Sequence, residues 1–303
     1  KPSSRPGPPC IPPAKRWPYK QNTKWKTEIG ERILRAATPM PHITEELCGG
    51  WDMFGDQTWC KKAFSAQDVK GLSFGIEGRD MYSEYLSNVY GTPMKLFDCF
   101  QDPEESPPLA GTVPNGTNNC GTSLNEICYS APYWAYRICL GPEAGKIQGK
   151  QYDTLHGHLS GLGPLSAHVK IDVEGSEWTV LEQLNAEPED QAKIRTLDME
   201  IHFGFNAPSE HPKQEGKSQE QRIMREVGIL EGLLNGFYVT GTTLEVYRQG
   251  WTPEKDCPIQ TCEEPVVHLR GGFTPRMFAI SFVNKRIVDP AGRFAEQDAQ
   301  IMA

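Results

Sequence analysis

From Gly71 to Val283 the chain alternates short apolar runs with amphipathic segments, and this alternation limits its fold more than any other feature. Apolar runs too short for buried helices read as strands covered on both faces, and the helical periodicity between them reads as the cover. Strand and helix alternating in this way predict an α/β domain with a largely parallel sheet. The spacing predicts strands over 72–76, 94–97, 133–140, 167–173, 194–201, 237–240 and 277–283. It predicts helices over 81–90, 176–184 and 220–234, with Met81, Tyr85, Leu86 and Val89 sharing one face of the first and Ile223, Val227, Leu230 and Leu234 one face of the last. No internal repeat is visible.

Upstream the grammar differs. The first 18 residues hold seven prolines, so 1–24 reads as a Pro-rich stem or linker. Ile29, Ile33, Leu34 and Ala37 have helical spacing, stopped by Pro39 and Pro41, and 25–70 reads as an N-terminal helical cap. The main domain is expected over 71–290 and a C-terminal tail over 291–303. A start at Lys1 suggests that a signal peptide or N-terminal anchor has been removed.

Composition excludes several function classes. Lys plus Arg number 31 against 39 Asp plus Glu, a net charge of -8, which argues against a duplex nucleic-acid partner. No apolar run approaches the roughly 20 residues needed to cross a bilayer, so no membrane span is expected. Nine cysteines (10, 48, 60, 99, 120, 128, 139, 257 and 262) mostly avoid CxxC spacing and fit disulfide staples better than a zinc site. With the sequon Asn115-Gly116-Thr117, which would make the chain a glycoprotein, they point to the secretory pathway: the Golgi or ER lumen, or secretion. Oligomeric state is not legible.

Three segments carry chemistry. Ser73-Phe74-Gly75-Ile76-Glu77-Gly78 runs from a strand into a glycine turn before a helix, and Asp98 ends the next strand, where an acid can accept both ribose hydroxyls of a nucleoside cofactor. Neither GxGxxG nor a Walker sequence is present, which favours S-adenosylmethionine (SAM) over NAD or ATP. Gly75, Ile76, Glu77, Gly78, Asp98, Leu140 and Asp172 are the expected cofactor contacts. In the second segment, Lys170 to Trp178, alternation points Lys170, Asp172 and Glu174 one way at a strand's carboxyl end, while Glu177 reads only as an acid favouring a helix N-terminus. In the third, Asp198, Glu200 and His202 share a face, so Glu200 and His202 should approach Asp172. Asp172, Glu200 and His202 are the expected catalytic residues, with His202 or Asp172 as base; the same three could hold Mg²⁺ or another divalent cation.

Lys170-Ile171-Asp172-Val173-Glu174-Gly175-Ser176-Glu177-Trp178, followed by Leu181, closely resembles the K-I-D-V-E-G-x-E-W-x-x-L signature of FkbM-type SAM-dependent methyltransferases and their eukaryotic methyltransferase-like relatives. Asp153-Thr154-Leu155 and Glu200-Ile201-His202 stand where that family carries a T-L helix start and an E-x-H strand end, and the similarity spans about 70–285. Phe74 departs from the family's usual glycine motif. The resemblance implies a class I, Rossmann-like methyltransferase fold: seven strands in the order 3-2-1-4-5-7-6, mostly parallel, with helices on both faces. It implies O-methylation of a carbohydrate or similar small hydroxyl acceptor. The alternatives are a non-catalytic methyltransferase-like binding domain, or N-methylation with Trp178 and Tyr129 shaping the acceptor pocket. The 101–125 loop and a Cys257–Cys262 hairpin would border the acceptor site.

Overall fold

The computed structural model describes residues 24–102, 129–205, 207–243, 267–269, 272–274 and 277–295. The stem over 1–23, most of the 101–125 loop with its sequon, the 257–262 hairpin, the end of the tail and Cys10, Cys120, Cys128, Cys257 and Cys262 lie outside the described residues.

One seven-stranded sheet organises the rest. Its strands are β1 (Lys70–Phe74), β2 (Met94–Phe97), β3 (Tyr133–Tyr136), β4 (Ala167–Ile171), β5 (Ile194–His202), β6 (Phe237–Thr242) and β7 (Met277–Asn284). In space they run β6-β7-β5-β4-β1-β2-β3, which read from the other edge is 3-2-1-4-5-7-6. Strands β1 to β5 pair in parallel, and β7 is antiparallel to both β5 and β6. The chain builds outward from β1 to β3 and then returns to lay β4 on the other side of β1. The carboxyl ends of β1 and β4 therefore flank a topological switch point, where open α/β sheets bind ligands.

Helices α1 (Lys24–Ala37), α3 (Glu177–Ala186) and α4 (Gln219–Leu233) pack on one face, with α2 (Met81–Tyr90) on the other. Helix α4 starts at a Ser218–Gln221 capping box and buries Ile223, Val227 and Leu230, with Leu234 just past its end, as the periodicity predicts. Ile29, Ile33 and Ala37 of α1 are buried in the same core, and Arg32 donates to Glu231 of α4 at 2.8 Å.

Two expectations need correction. Met81 and Val89 of α2 are 59% and 54% exposed; the buried side carries Tyr82, Ser83, Glu84, Leu86 and Ser87. Those polar groups are paired: Ser83 donates to Asp80, and Ser87 Oγ accepts the Ala131 N–H at 2.9 Å. The 25–70 segment is helical only in part, since Trp51–Phe54 and Gln57–Cys60 form a hairpin around Gly55, whose φ is 56°. This hairpin covers β6 and β7 through Thr240 Oγ1, which donates to the Thr58 carbonyl at 2.6 Å, and a Cys48–Cys60 disulfide closes it. A second disulfide, Cys99–Cys139, joins the residue after Asp98 to a small sheet of Cys139–Leu140, Gly145–Ile147 and Lys150–Asp153. Two disulfides are consistent with an oxidising, extracellular-type compartment. Among the described residues no helix is long and apolar enough to cross a membrane.

Candidate active site

The switch point is held by a backbone crossing that only glycine allows. Asp172 N–H donates to the Phe74 carbonyl at 3.0 Å, and Gly75 N–H to the Phe97 carbonyl at 2.9 Å, so β1 leaves the sheet against both neighbours. Gly75 has φ 79°, and a Cβ there would lie 1.6 Å from the Asp172 carbonyl oxygen. Lys170 Nζ donates to the Gly75 carbonyl and stands 3.4 Å from Asp172 Oδ2. Beyond β4 the chain turns through Glu174 (φ 53°) and Gly175 (φ 92°) into α3.

That turn brings five side chains together: Asp172, Glu174, Glu177, Glu200 and His202. His202, at the end of β5, is fully buried. Its backbone N–H donates to Glu177 Oε1 at 2.6 Å, its Nδ1 lies 3.2 Å from the same oxygen, and the Gly175 N–H donates to Glu177 Oε2 at 2.8 Å. Trp178 Nε1 donates to the His202 carbonyl at 2.7 Å. Nδ1 thus donates to a carboxylate, and Nε2 is the ring atom turned to the other acids. Nε2 has no hydrogen-bond partner; the nearest acids are Glu174 at 3.6 Å and Glu200 at 3.8 Å. Ligand atoms of Asp172, Glu174 and His202 all lie within 4.8 Å of one another.

Electrostatics in this group are perturbed. Burial pulls the His202 pKa down, but the hydrogen bond and charge of Glu177, with Glu174 and Glu200 behind it, outweigh burial and raise it to about 9. Burial, reinforced by Asp172 and opposed by His202, raises Glu200 to about 7. Glu174 is raised by burial as well, with His202 pulling the other way.

Asp172, Glu200 and His202 are therefore brought together, and two residues change role. Glu177 does more than favour a helix end, because it is the fully buried carboxylate that orients the imidazole. Glu174, rather than Glu200, completes with Asp172 and His202 the trio whose ligand atoms are close enough to hold a cation. Two carboxylates and an imidazole backed by a third carboxylate fit a divalent cation, and the imidazole suits Mn²⁺ or Zn²⁺ at least as well as Mg²⁺. Asp198 stays away from the site: it is buried under the hairpin, accepting from Trp59 Nε1 at 2.8 Å and Tyr82 Oη at 3.3 Å.

The expected cofactor contacts arrange differently. Asp98 accepts four backbone N–H groups: Ile76 (3.0 Å) and Glu77 (3.2 Å) on Oδ2, Phe100 (2.8 Å) and Gln101 (3.2 Å) on Oδ1. A carboxylate has about four lone-pair directions, so here Asp98 holds the turn together and offers no spare acceptor to a ribose. Ile76 is buried in the core, and Glu77 and Gly78 are exposed on the turn. Leu140 is buried in the small sheet. Phe74 lies within the sheet, 1% exposed and stacked on Phe97, and does not project into the edge. Trp178 and Tyr129 are fully buried, so neither offers an exposed aromatic wall for an amine.

Comparison with known protein families, curated proteins and solved structures finds no match to this chain.

Proposed function

We propose that this chain is a SAM-dependent O-methyltransferase acting on a hydroxyl of a carbohydrate or similar small acceptor. The observation that carries the reading is the sheet order 3-2-1-4-5-7-6 with β7 reversed, which sets an acid–imidazole group at the carboxyl edge beside the switch point. The Lys170 to Trp178 signature supports it from the sequence side.

SAM, when bound, supplies a methyl group already activated on a sulfonium, so the chain's share is positioning and the handling of one proton. The side chains of Asp172 and Glu200 are 20% and 35% exposed, whereas that of His202 is 0%. An acceptor hydroxyl therefore meets the two carboxylates first. Glu200 is placed to take the hydroxyl proton, in preference to His202 or Asp172, the bases expected from the sequence; the methyl would pass to the hydroxyl oxygen as the sulfonium carbon–sulfur bond breaks and the neutral thioether leaves. His202, clamped by Glu177, holds its Nε2 3.6 Å from Glu174 and 3.8 Å from Glu200. A divalent cation, held by Asp172, Glu174 and His202, would supply Lewis-acid polarisation of the hydroxyl. The disulfides support a lumenal or secreted setting, within which we place the Golgi or ER lumen.

Calorimetric titration of SAM tests the first half: sub-millimolar binding is expected, and none by folded protein overturns the reading. Incubation of a glycan pool with isotope-labelled SAM tests the second, and Glu200→Gln should lower turnover about 100-fold or more with SAM affinity within about twofold. One observation favours the second reading, a non-catalytic methyltransferase-like domain: the Asp98 carboxylate is spent on its own turn. The same titration separates the two.

A further inference from the structure

A concavity lies at the same edge, beyond β2 and β3, and methyl transfer as described leaves it unused. It has a volume of about 530 Å³ and is lined by Cys99, Arg137, Lys146, Gln148, Lys150 and Gln151. Its walls follow from the topology. Cys99 comes just after β2 and Arg137 just after β3, while the strands Gly145–Ile147 and Lys150–Asp153 carry the lysines over them. The Cys99–Cys139 disulfide ties the floor to that small sheet.

Among the described residues the lining holds three cations and no acid, on a chain whose net charge is -8. The three differ in what they can offer. Lys150 Nζ donates to the Cys99 carbonyl at 2.8 Å and sits 4.2 Å from the centroid of the Phe100 ring, so it is fixed as part of the wall. Arg137 faces Asp102 at 2.7 Å, but this pair is exposed on both sides (51% and 66%), and such pairs exchange readily for another oxyanion. Lys146 is exposed, without an ion-pair partner among the described residues. Beside them Phe100 leaves 62% of its surface in solvent, and Gln148 adds a side-chain amide.

A guanidinium and an ammonium converging on one cavity recognise oxyanions. An exposed aromatic ring and an amide add what a sugar ring needs, a flat apolar surface and hydroxyl partners. We propose that this cavity binds an acidic saccharide, a sugar bearing a sulfate or carboxylate group, with Arg137 and Lys146 on the oxyanion and Phe100 against the ring. As a binding site it stands apart from the methyl-transfer reading; that the methyl acceptor is itself an acidic saccharide rests on that reading.

Calorimetry on the full chain with disulfides intact, without SAM and at low ionic strength, tests it with three probes: chondroitin 4-sulfate disaccharide, its desulfated form and lactose. The sulfated disaccharide should bind at least about tenfold more tightly than lactose, a difference of about 1.4 kcal/mol. Retained affinity for the desulfated form assigns the carboxylate as the recognised oxyanion, and lost affinity assigns the sulfate. Lys146→Glu should weaken binding about tenfold or more with an unchanged melting temperature, and Arg137→Ala should weaken it in the same direction. Equal affinity for lactose, no binding of any probe, or a Lys146→Glu variant that binds as well as the parent overturns the proposal. Because SAM is absent, none of these outcomes bears on methyl transfer, and failure of methyl transfer leaves the binding result standing.

Discussion

Acids at two places on the carboxyl edge of one sheet are treated in opposite ways. At the end of β2, Asp98 has every lone-pair direction filled by a backbone N–H, within a turn that is closed on itself. At the ends of β4 and β5, Asp172, Glu174 and Glu200 crowd around an imidazole whose Nε2 is buried and unbonded. Leaving a buried polar atom unpaired costs about 1–3 kcal/mol, and placing like charges together adds to it. A fold optimised only for stability would resolve the second arrangement as it has resolved the first. The difference teaches where function sits: polar groups left unsatisfied by the fold await a partner from outside it.

The two regions meet at Gly75, and the largest effect is expected there. In Gly75→Ala the new Cβ would collide with the Asp172 carbonyl at a φ of 79°, and neither backbone can yield without breaking the β1–β4 crossing. A loss of about 4 kcal/mol or more is expected, read as failure to accumulate folded protein. A well-folded Gly75→Ala variant would mean that the two halves of the edge are less rigidly joined than the geometry indicates.

The next effect sets the halves against each other. Asp98→Ala strips the acceptor from four N–H groups and should cost about 2–4 kcal/mol in denaturant melts. Asp172→Ala removes one member of a crowded acidic group and leaves Lys170 bonded to the Gly75 carbonyl, so its cost should stay within about 1 kcal/mol while activity falls. Equal costs for the two substitutions would erase the distinction between a structural acid and a functional one.

The sheet was legible in the sequence because Val169 and Ile171 of β4 and Leu197, Met199 and Ile201 of β5 recur at period two and are all buried. The inward side of α2 was not. Its buried Ser83 and Ser87 are polar and are satisfied by Asp80 and Ala131, partners that periodicity cannot see. Of the site, Asp172, Glu200 and His202 follow from strand alternation alone. Glu177 was passed over because acids are common in a first helical turn; the signal available was its place directly before Trp178, on the buried side of an apolar helix. The engagement of Asp98 was beyond reach, since four backbone N–H directions are set by a turn that the side chain itself stabilises. The Trp51–Cys60 hairpin could have been found, because a Gly-Asp pair between two short aromatic runs is a hairpin signal.

The last effect is a slope in pH rather than a single loss, and it concerns a second strained carboxyl behind β5. Glu226 of α4 is buried; its Oε2 accepts the Gly204 N–H at 3.0 Å, two residues past His202, and its Oε1 has no partner. Burial raises its pKa to about 8, with the Gly204 N–H opposing and Glu177 and Glu210 adding to the rise. A carboxyl whose pKa is higher folded than unfolded lends stability that is complete below the unfolded value, near 4.3, and is lost as pH rises toward the folded one. Stability should therefore fall by up to about 1 kcal/mol per pH unit between pH 5 and 8 from this group. His168 works in the opposite sense: burial and Arg195 lower its pKa to about 3, so its contribution is lost as pH falls below about 6.5. In Glu226→Gln, which cannot ionise, the downward slope above pH 6 should become shallower, leaving the share that His202, raised to about 9, and Glu200, raised to about 7, contribute in the same direction, while the acid-side loss from His168 remains. Denaturant midpoints at half-unit pH steps would resolve the two limbs. A slope above pH 6 left unchanged by Glu226→Gln would move the source of that strain from Glu226 to the other raised groups, with Asp198, raised by burial to about 7, next to be substituted.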